Sequence, residues 1–406
     1  MIHAHPSLAR PWRALCALFV ATALAVGCGG GTDSGVGAGG TGSPLSFSQG
    51  PITGFGSIVV NGVHFDDSGA SVVDDDGNAL SNTASLRLGT VVDVQGGVVT
   101  NGATQASTIH VHVDLVGPVT AAWDSATGRL GVLGQPVRVL ALTALDGFSG
   151  GAAAIQPGSV VAVSSLYDKA TGVYVATRID PAPTAPRFAI RGAPTAVDAS
   201  AQTFTIGAAA FSYGSIAPPS GFAVGQVLRA VLAKAPDSNG RWTVTAFGQG
   251  QSTLPDGRRG GLRGVVSSAA DATHFVVNGV SVDASAATVA PTGSVIGVQS
   301  RVEVQGTVVA GVLVATSVQV EASSDGEDDH GGAGGDDGFE ISGKILTLDT
   351  TAMTLTMRGP TTVNYATATF SSGTAASLAV GKSIEVKGKL SADGSQVVAT
   401  QVKFDQ

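Results

Sequence analysis

The sequence predicts an all-β protein in which about five small β-barrel modules follow one another along the chain. Three observations predict this fold class. A block of sequence returns several times, apolar and polar residues alternate in short stretches, and glycine is abundant, with 57 copies among 406 residues. Alternation with a period of two is typical of half-buried strands, and glycines accompany the turns that join short strands.

The repeat gives the size of the folding unit. Residues 57–66 return as residues 274–283, with six of ten positions identical. Residues 92–96 return as residues 302–306 and again as residues 384–388. A pattern that recurs in this way indicates one small structural unit copied along the chain.

The N-terminal residues 1–27 are predicted to be an export signal. Arg10 and Arg13 supply positive charge, and the apolar stretch that follows, residues 14–26, is too short to span a bilayer comfortably. This stretch ends in Ala25-Val26-Gly27-Cys28, which resembles the lipobox of bacterial lipoproteins. The alternative is an ordinary signal peptide followed by a chance cysteine.

The lipobox resemblance implies that Cys28 becomes the lipidated first residue of the mature protein. Each buried methylene of an acyl chain contributes about 0.8 kcal/mol, so several chains make a lasting membrane anchor. Gly29 stands where an inner-membrane retention signal would have Asp, and the resemblance therefore points to the outer membrane. Because Cys16 leaves with the signal, no thiol remains for disulfides, thiolate catalysis or cysteine metal sites.

The charge balance argues against nucleic acid as a partner. Without Arg10 and Arg13 the chain has 20 basic and 30 acidic side chains, and aromatic residues make up 5% of it. Nucleic-acid binding needs a basic face and aromatic stacking surfaces.

The chain after the signal divides into a tether, five modules and a linker. Residues 28–49 are rich in Gly, Ser and Thr and are predicted to be a flexible tether that carries the lipidated cysteine. Each module has a glycine-containing first strand, a hairpin, a Leu/Val-x-x-Gly turn, a V-x-V strand and a closing strand. The modules are predicted at residues 50–116, 117–180, 187–249, 260–322 and 339–406, with an acidic Gly-rich linker at 323–338.

Particular glycines and asparagines mark turns and bends in these modules. Asn61-Gly62 and Asn278-Gly279 predict tight hairpin turns, and Gly96-Gly97 is the expected place for a bulge. Gly54 is assigned as the first-strand glycine of module one. The turn glycines are Gly89, Gly158, Gly225 and Gly381, and the alignment places Gln299 at their position in module four.

The joints between modules differ in composition. The first two modules abut with almost no slack, whereas residues 249–261 are expected to be an exposed polar loop that contains Arg258-Arg259. The acidic linker is expected to be a flexible break. Module five should therefore close its own core, independent of module four.

With these motifs identified, the chain resembles uncharacterised repeat lipoproteins of bacteria, built from copies of a domain of unknown function. The resemblance covers residues 50–405 and is most specific in modules one, four and five. It implies small OB-like barrels and display at the cell envelope. It supplies no catalytic residues. Five or six short strands in a module of this size independently favour a small closed barrel over a sandwich.

Two histidines form the strongest candidate for a metal site. His110 and His112 are two positions apart on a predicted strand, so both imidazoles face the same side, and His64 is expected nearby in the same module. The alternative is that His-x-His-x-Asp is the solvent face of an edge strand, with Asp114 continuing that face.

Acidic residues supply two weaker candidates. The segment Asp74-Asp75-Asp76-Gly77-Asn78 has the oxygen-rich character of a Ca²⁺ loop, but it lacks EF-hand spacing and fits a hairpin turn better. Asp93, Glu303 and Glu385 share one repeat position, where modules two and three have Ala162 and Arg229. Because apolar strand residues flank each carboxylate, we expect all three to point to solvent.

The sequence thus favours a non-enzymatic, lipid-anchored envelope protein with a binding or structural role. No nucleophile elbow, zinc-protease helix or phosphate loop is present in the sequence, and no cofactor is expected. By fold analogy the partners are the membrane, through the lipid, and an envelope polysaccharide or envelope protein. The alternative hypothesis is a metal-binding envelope protein that uses His110, His112 and His64.

Overall fold

The computed structural model confirms the all-β fold class. It describes residues 46–81, 85–248, 250, 256–278, 280–321, 338–359 and 361–405, and this part contains two short 3₁₀ helices, Gly151–Ala154 and Ala375–Ser377, beside its strands. The export signal, Cys28, nearly all of the tether and the linker up to residue 337 lie outside the described residues.

Barrel 1 shows the circuit that the other barrels repeat. Its strands are β1 (Ser46–Phe55), β2 (Ile58–Val60), β3 (Val63–Asp66), β4 (Ser71–Asp74), β5 (Val91–Gly96) and β6 (Ala103–His112). β1 pairs with β2 and β2 with β3, while β3 and β4 lie parallel to successive parts of β6. β6 pairs with β5, and β5 returns to β1. Since β3 and β4 act as one broken strand, the barrel is closed and five-stranded.

Barrel 2 closes in the same order, and barrel 3 does so with a broken first strand. The strands of barrel 2 are β7 (Leu115–Asp124), β8 (Arg129–Val132), β9 (Gln135–Ala144), β10 (Val160–Asp168) and β11 (Val173–Pro181). Those of barrel 3 are β12 (Phe188–Gly192), β13 (Ala196–Asp198), β14 (Thr203–Ile206), β15 (Ala209–Ser212), β16 (Leu228–Pro236) and β17 (Trp242–Gly248).

Barrels 4 and 5 complete the set with the same parallel pairing of third and last strands. Barrel 4 contains β18 (Arg259–Ala269), β19 (His274–Val277), β20 (Val280–Asp283), β21 (Thr288–Ala290), β22 (Arg301–Val309) and β23 (Val312–Glu321). Barrel 5 contains β24 (Phe339–Lys344), β25 (Thr347–Asp349), β26 (Thr354–Met357), β27 (Thr361–Asn364), β28 (Thr369–Ser371), β29 (Ser383–Leu390) and β30 (Val397–Phe404).

One turn has the same geometry in all five barrels. Its backbone N–H donates at 2.8–2.9 Å to a carbonyl within the first strand or one to two residues after β12 and β24, and its φ lies between 74° and 88°. The residues at this position are Gly89, Gly158, Gly225, Gln299 and Gly381. The alignment of Gln299 with the turn glycines is therefore correct, and a side chain occupies a left-handed conformation that favours glycine.

We predict that Gln299→Gly raises the free energy of unfolding by up to about 1 kcal/mol, because it relieves the left-handed strain of a residue with a Cβ. Gly381→Ala should lower it by a similar amount, since open space surrounds its Cβ position and only the backbone conformation opposes the change. Urea denaturation of both variants checks this. A less stable Gln299→Gly variant would contradict it.

The first-strand glycine of barrel 1 is Gly50, so its assignment to Gly54 was wrong. Gly50 lies opposite Val92 as Gly264 lies opposite Val302. In both barrels the side chain of the hairpin asparagine lies over this glycine. Its Nδ2 donates at 3.0 Å to the carbonyl of the residue before the glycine, from Asn61 to Gln49 and from Asn278 to Arg263. A Cβ at Gly50 would lie 2.8 Å from Asn61 Oδ1, which explains the need for glycine.

The predicted bulge is present, and it recurs. The pairing of β5 with β6 shifts register between Gln95 and Gly96. The same shift occurs between Gln305 and Gly306 in barrel 4 and between Lys387 and Gly388 in barrel 5. The extra residue bends the strand where the small barrel must close.

Strand β1 belongs to more than one barrel. Its residues 46–49 pair with β5 on one edge and lie parallel to residues 259–262 of β18 on the other. Further along, Gly54 and Phe55 lie parallel to Glu340 and Ile341 of β24. Nine of the ten β1 residues are buried, so the strand is an interior element shared by barrels 1, 4 and 5.

The hydrophobic cores also cross barrel boundaries, which corrects the expectation that module five has its own core. Buried side chains of barrels 1 and 5 form one cluster, those of barrels 2 and 3 form another, and Phe47 of barrel 1 joins the core of barrel 4. Between barrels 1 and 5, Arg358 pairs with Asp67 and lies 5.6 Å from the centre of the Phe55 ring. The core of barrel 5 is therefore continuous with the core of barrel 1.

The first joint is held by a buried arginine of barrel 2. Arg178 is 1% exposed and donates to the carbonyl of Leu88 at 3.0 Å, while Asp146 and Asp180 pair with it at 2.9 and 2.5 Å. Burial disfavours the charged guanidinium, but the two carboxylates outweigh it and raise the pKa of Arg178 above its ordinary value. The turn of barrel 1 is thereby fixed against β11.

Residues 249 and 251–255 of the predicted polar loop lie outside the described residues, but the loop assignment was wrong at Arg259, which is exposed and lies in a strand. Arg259 is the first residue of β18, opposite Ser46 on one edge and Thr307 on the other. Arg258 Nη1 donates to the carbonyls of Ser46 and Gly96, both at 3.2 Å. This pair of arginines is part of the seam between barrels 1 and 4.

We predict that Gly54→Val loosens barrel 5 from barrel 1, because a Cβ there meets the carbonyl oxygen of Glu340. Hydrogen exchange should accelerate in β24 and stay unchanged in β12. Gly297→Val is the control, since nothing lies near its Cβ position. Equal protection of β24 in both variants would show that the contact does not hold the barrels together.

Candidate functional site

The candidate site is a charged cluster where barrels 1, 2 and 3 meet. It combines four carboxylates, one imidazole and three guanidinium groups. Its members are Asp75, Asp76, Asp93, His112, Asp114, Arg187, Arg191 and Arg229. The sequence pointed to five of these positions separately, in the acidic turn, the shared carboxylate position and the His-x-His-x-Asp strand.

His112 is the centre of the cluster. Its Nδ1 lies 2.7 Å from Asp75 Oδ1 and its Nε2 lies 3.0 Å from Asp93 Oδ2, and the side chain is 12% exposed. Burial opposes protonation of the ring, but the two carboxylates outweigh burial and raise the pKa of His112 to about 10. The imidazole is therefore charged at neutral pH, with both N–H groups directed at carboxylates.

The acidic turn is a hairpin turn whose second and third residues bind arginines. Asp74 accepts hydrogen bonds from the backbone N–H groups of Asp76 and Asn78 at 2.9 and 2.8 Å, which closes the turn on itself. Asp75 pairs with Arg191 and accepts from the N–H of Val113 at 3.1 Å. Despite burial, these contacts and His112 lower the pKa of Asp75.

Arginines of barrel 3 complete the contact with Asp76. Arg229 Nη1 lies 2.7 Å from Asp76 Oδ1, and Arg187 Nη2 lies 2.5 Å from Asp76 Oδ2. The acidic turn thus meets guanidinium groups, which supports the turn interpretation over the Ca²⁺ loop.

Asp114 links the joint between barrels 1 and 2 to barrel 3. Its Oδ1 lies 3.1 Å from Arg191 Nε, and its Oδ2 accepts from the Ser165 hydroxyl at 2.5 Å. Burial raises the pKa of Asp114 although Arg191 and Ser165 oppose the shift. Arg191 also donates to the carbonyl of Gly250 at 2.7 Å, so its guanidinium is engaged on every side.

The three histidines of the metal hypothesis do not come together. His110 is exposed, with its ring centre 6.4 Å from that of His112, whose two nitrogens face Asp75 and Asp93. His64 lies opposite Ala103, seven positions from His110 along β6, which at about 3.3 Å per residue is roughly 23 Å. Among the residues that the structure describes, no group of three or more His, Cys, Asp or Glu side chains has a metal-binding arrangement.

The three equivalent carboxylates have different surroundings. Glu385 is half-buried and pairs with Lys403 at 3.0 Å, and Glu303 accepts from the Gln305 amide at 3.0 Å. Asp93 is 17% exposed and holds His112, so the expectation that it faces solvent was wrong. Sequence reasoning did not predict that Arg191 and Arg229, which are cross-strand neighbours, bind the acidic turn. The available signal was Arg229, a cation at the position where three modules carry carboxylates.

A cleft of about 630 Å³ opens beside the cluster, where barrels 1, 2, 3 and 4 approach one another. We call it the polar cleft. It is lined by Gln49, Tyr167, Lys169 and Asn278 together with His112, Asp114 and Arg191 of the cluster. Amide, phenol and ammonium groups of its wall can donate to or accept from a polar ligand.

This geometry defines a class of protein: closed five-stranded barrels repeated in tandem and joined by shared strands and buried ion pairs. The model of a domain of unknown function, DUF5666, matches residues 49–110, 116–180, 263–319 and 342–403, which together are more than half of the chain. The chain belongs to the DUF5666 family. Barrel 3 closes the same circuit although the family model does not match it. No curated protein matches the chain.

We predict a characteristic alkaline loss of stability. The folded-state pKa of His112, about 10, lies above its ordinary value of 6.5. Its contribution is therefore complete below about pH 6.5 and is lost as pH rises through about 10, at up to about 1.4 kcal/mol per pH unit. Denaturation by urea at a series of pH values measures this slope.

The matched variants are His112→Gln and His110→Gln. His112→Gln should flatten the slope and cost about 3–5 kcal/mol at neutral pH, because it leaves buried carboxylates uncompensated. His110→Gln, two residues away and exposed, should change neither. Identical slopes in all three proteins would mean that another group is responsible.

Proposed function

We propose that the protein is a lipid-anchored, non-enzymatic component of the cell envelope whose fused barrels form a rigid binding or structural body. The observation that carries this proposal is the sharing of β1 among barrels 1, 4 and 5. Backbone pairing between barrels fixes their relative positions, as required of a body that holds or spaces other molecules.

The charged cluster supports a structural role for its side chains. His112, Arg191 and Asp114 are directed at one another, and the same contacts join three barrels. A catalytic acid or base must reach a reacting group in a cleft. His112, Asp114 and Arg191 line the polar cleft, but each is held in ion pairs with other members of the cluster. This pairing favours a role in orienting barrels 1, 2 and 3.

The anchor rests on the sequence of the N-terminal segment. Arg10, Arg13, the apolar residues 14–26 and Cys28 together resemble a lipoprotein signal. Among the described residues, no helix is long and apolar enough to cross a membrane. A lipidated Cys28 would hold the barrels at the membrane through residues 28–49.

The polar cleft supports an envelope polysaccharide as the partner. Gln49, Lys169 and Asn278 present amide and ammonium groups beside the half-buried Tyr167 ring. Hydroxyl-rich ligands bind through such planar polar groups and an apolar ring face. Binding of purified envelope polysaccharide to the wild type, set against Asn278→Ala and Lys169→Ala, tests this partner. An envelope protein as partner is the outcome if only protein is retained in a pull-down.

We predict that Cys28→Ser releases the protein from membranes into the soluble fraction, because lipid can no longer be attached. Fractionation with a high-salt wash and metabolic labelling with a tagged fatty acid measure this. Cys16→Ser is the matched control, since Cys16 belongs to the removed signal and its loss should leave labelling intact. Retention of the Cys28→Ser protein after the wash would overturn the anchor.

A further inference from the structure

We propose that a second cleft, between barrels 1, 2, 4 and 5, binds an amphiphile with an apolar body and an anionic head. The cleft contains about 680 Å³ of space between the barrels, part of it open to solvent. We call it the apolar cleft. It is formed by the barrels themselves and does not depend on the lipid anchor.

The walls of the apolar cleft are aliphatic and come from the outer faces of the barrels. Leu166 and Val175 are cross-strand neighbours on barrel 2, and they pack with Val91 and Val265 in a small cluster separate from the barrel interiors. Phe339 of barrel 5 also lines the cleft and is 7% exposed. An apolar ligand body gains free energy by leaving water for such walls, at about 25 cal/mol per Å².

The mouth of the apolar cleft is also apolar. Leu142 of barrel 2 is among the lining residues and is 36% exposed. An apolar ligand body that entered the cleft would remove this side chain from water.

The charged residues among those that line the cleft are Arg263 and Arg301. Their guanidinium groups converge on Glu321, with Arg263 Nε 2.5 Å from Oε1 and Arg301 Nη2 2.8 Å from Oε2. Arg301 Nε is buried and has no hydrogen-bond acceptor among the described residues. A buried donor without an acceptor costs free energy, and an anionic head group would satisfy it with a charge-assisted hydrogen bond.

Aliphatic walls with guanidinium groups at one end match a long-chain carboxylate or an alkyl phosphate. A purely polar ligand would gain nothing from the apolar walls. A neutral head group could accept only an uncharged hydrogen bond from Arg301 Nε, and a cationic head group would be repelled. The carboxylate and the phosphate share the required chemistry, and the binding experiment distinguishes them.

The test is calorimetric titration of the full chain carrying Cys28→Ser, which has no acyl group attached. The probes are dodecanoate, dodecyl phosphate, dodecanol and dodecyltrimethylammonium, each below its micelle-forming concentration. We expect saturable binding of one equivalent of an anionic probe, at least about tenfold tighter than binding of dodecanol. The tighter of the two anions identifies the head group.

Two variants locate the binding in the apolar cleft. Arg301→Gln should abolish the preference for the anion over dodecanol, with Arg129→Gln as a control on the exposed surface of barrel 2. Leu142→Asp should weaken the binding of both anions at least about tenfold. Its control is Val224→Asp, which places the same charge on the exposed surface of barrel 3. Thermal denaturation verifies that each variant is folded.

Equal affinity for anionic, neutral and cationic probes would overturn the proposal, because it would indicate adsorption to apolar surface. Unchanged binding in folded Leu142→Asp protein would overturn it as well. If neither anion binds, the proposal is overturned as well. That outcome is independent of the membrane fractionation of the Cys28→Ser protein, which tests the anchor.

Discussion

The arrangement of the barrels depends on the backbone pairing of β1. A strand inside one closed barrel normally uses both edges for its own neighbours, yet residues 46–49 of β1 pair with β5 and β18, and Gly54 and Phe55 reach β24. This is possible because β1 is long and passes from one seam to the next. Backbone hydrogen bonds are directional, so they fix both the spacing and the orientation of barrels 1, 4 and 5.

Buried ion pairs join barrels 1, 2 and 3. Barrels 1, 2 and 3 meet around His112, Asp75 and Arg191, and barrels 1 and 2 meet again around Arg178. Removal of one member of a buried ion pair is costly because its partner keeps an uncompensated charge. The clusters therefore select one relative orientation of the barrels, and apolar contact alone would be less discriminating.

Within a barrel, much of the structure could be predicted from the sequence. The turn at Gln299 and the bulge beside Gly96 follow from repeat alignment and strand counting, because local backbone geometry determines both. The misassigned Gly54 shows the limit even there. Two glycines four positions apart look alike in sequence, and only the fold of Asn61 over Gly50 separates them.

Between barrels, the sequence predicted less. The pairing of β1 with β18 and the contact of Asp76 with Arg229 join residues more than 150 positions apart, and no local pattern encodes such partners. Asp93 illustrates the physical reason. Its flanking residues correctly place it outside the barrel wall, but the outside of one barrel is the interior of the assembly.

The pairing of β1 also bears on the order of folding. Gly54 is synthesised long before Glu340, its neighbour across the seam, and Ser46 long before Arg259. Until those late strands arrive, one edge of β1 carries unpaired N–H and C=O groups and invites pairing with other chains. Contacts this distant in sequence are slow to form. We therefore expect the edge of β1 to stay exposed in the growing chain until β18 of barrel 4 and then β24 of barrel 5 pair with it.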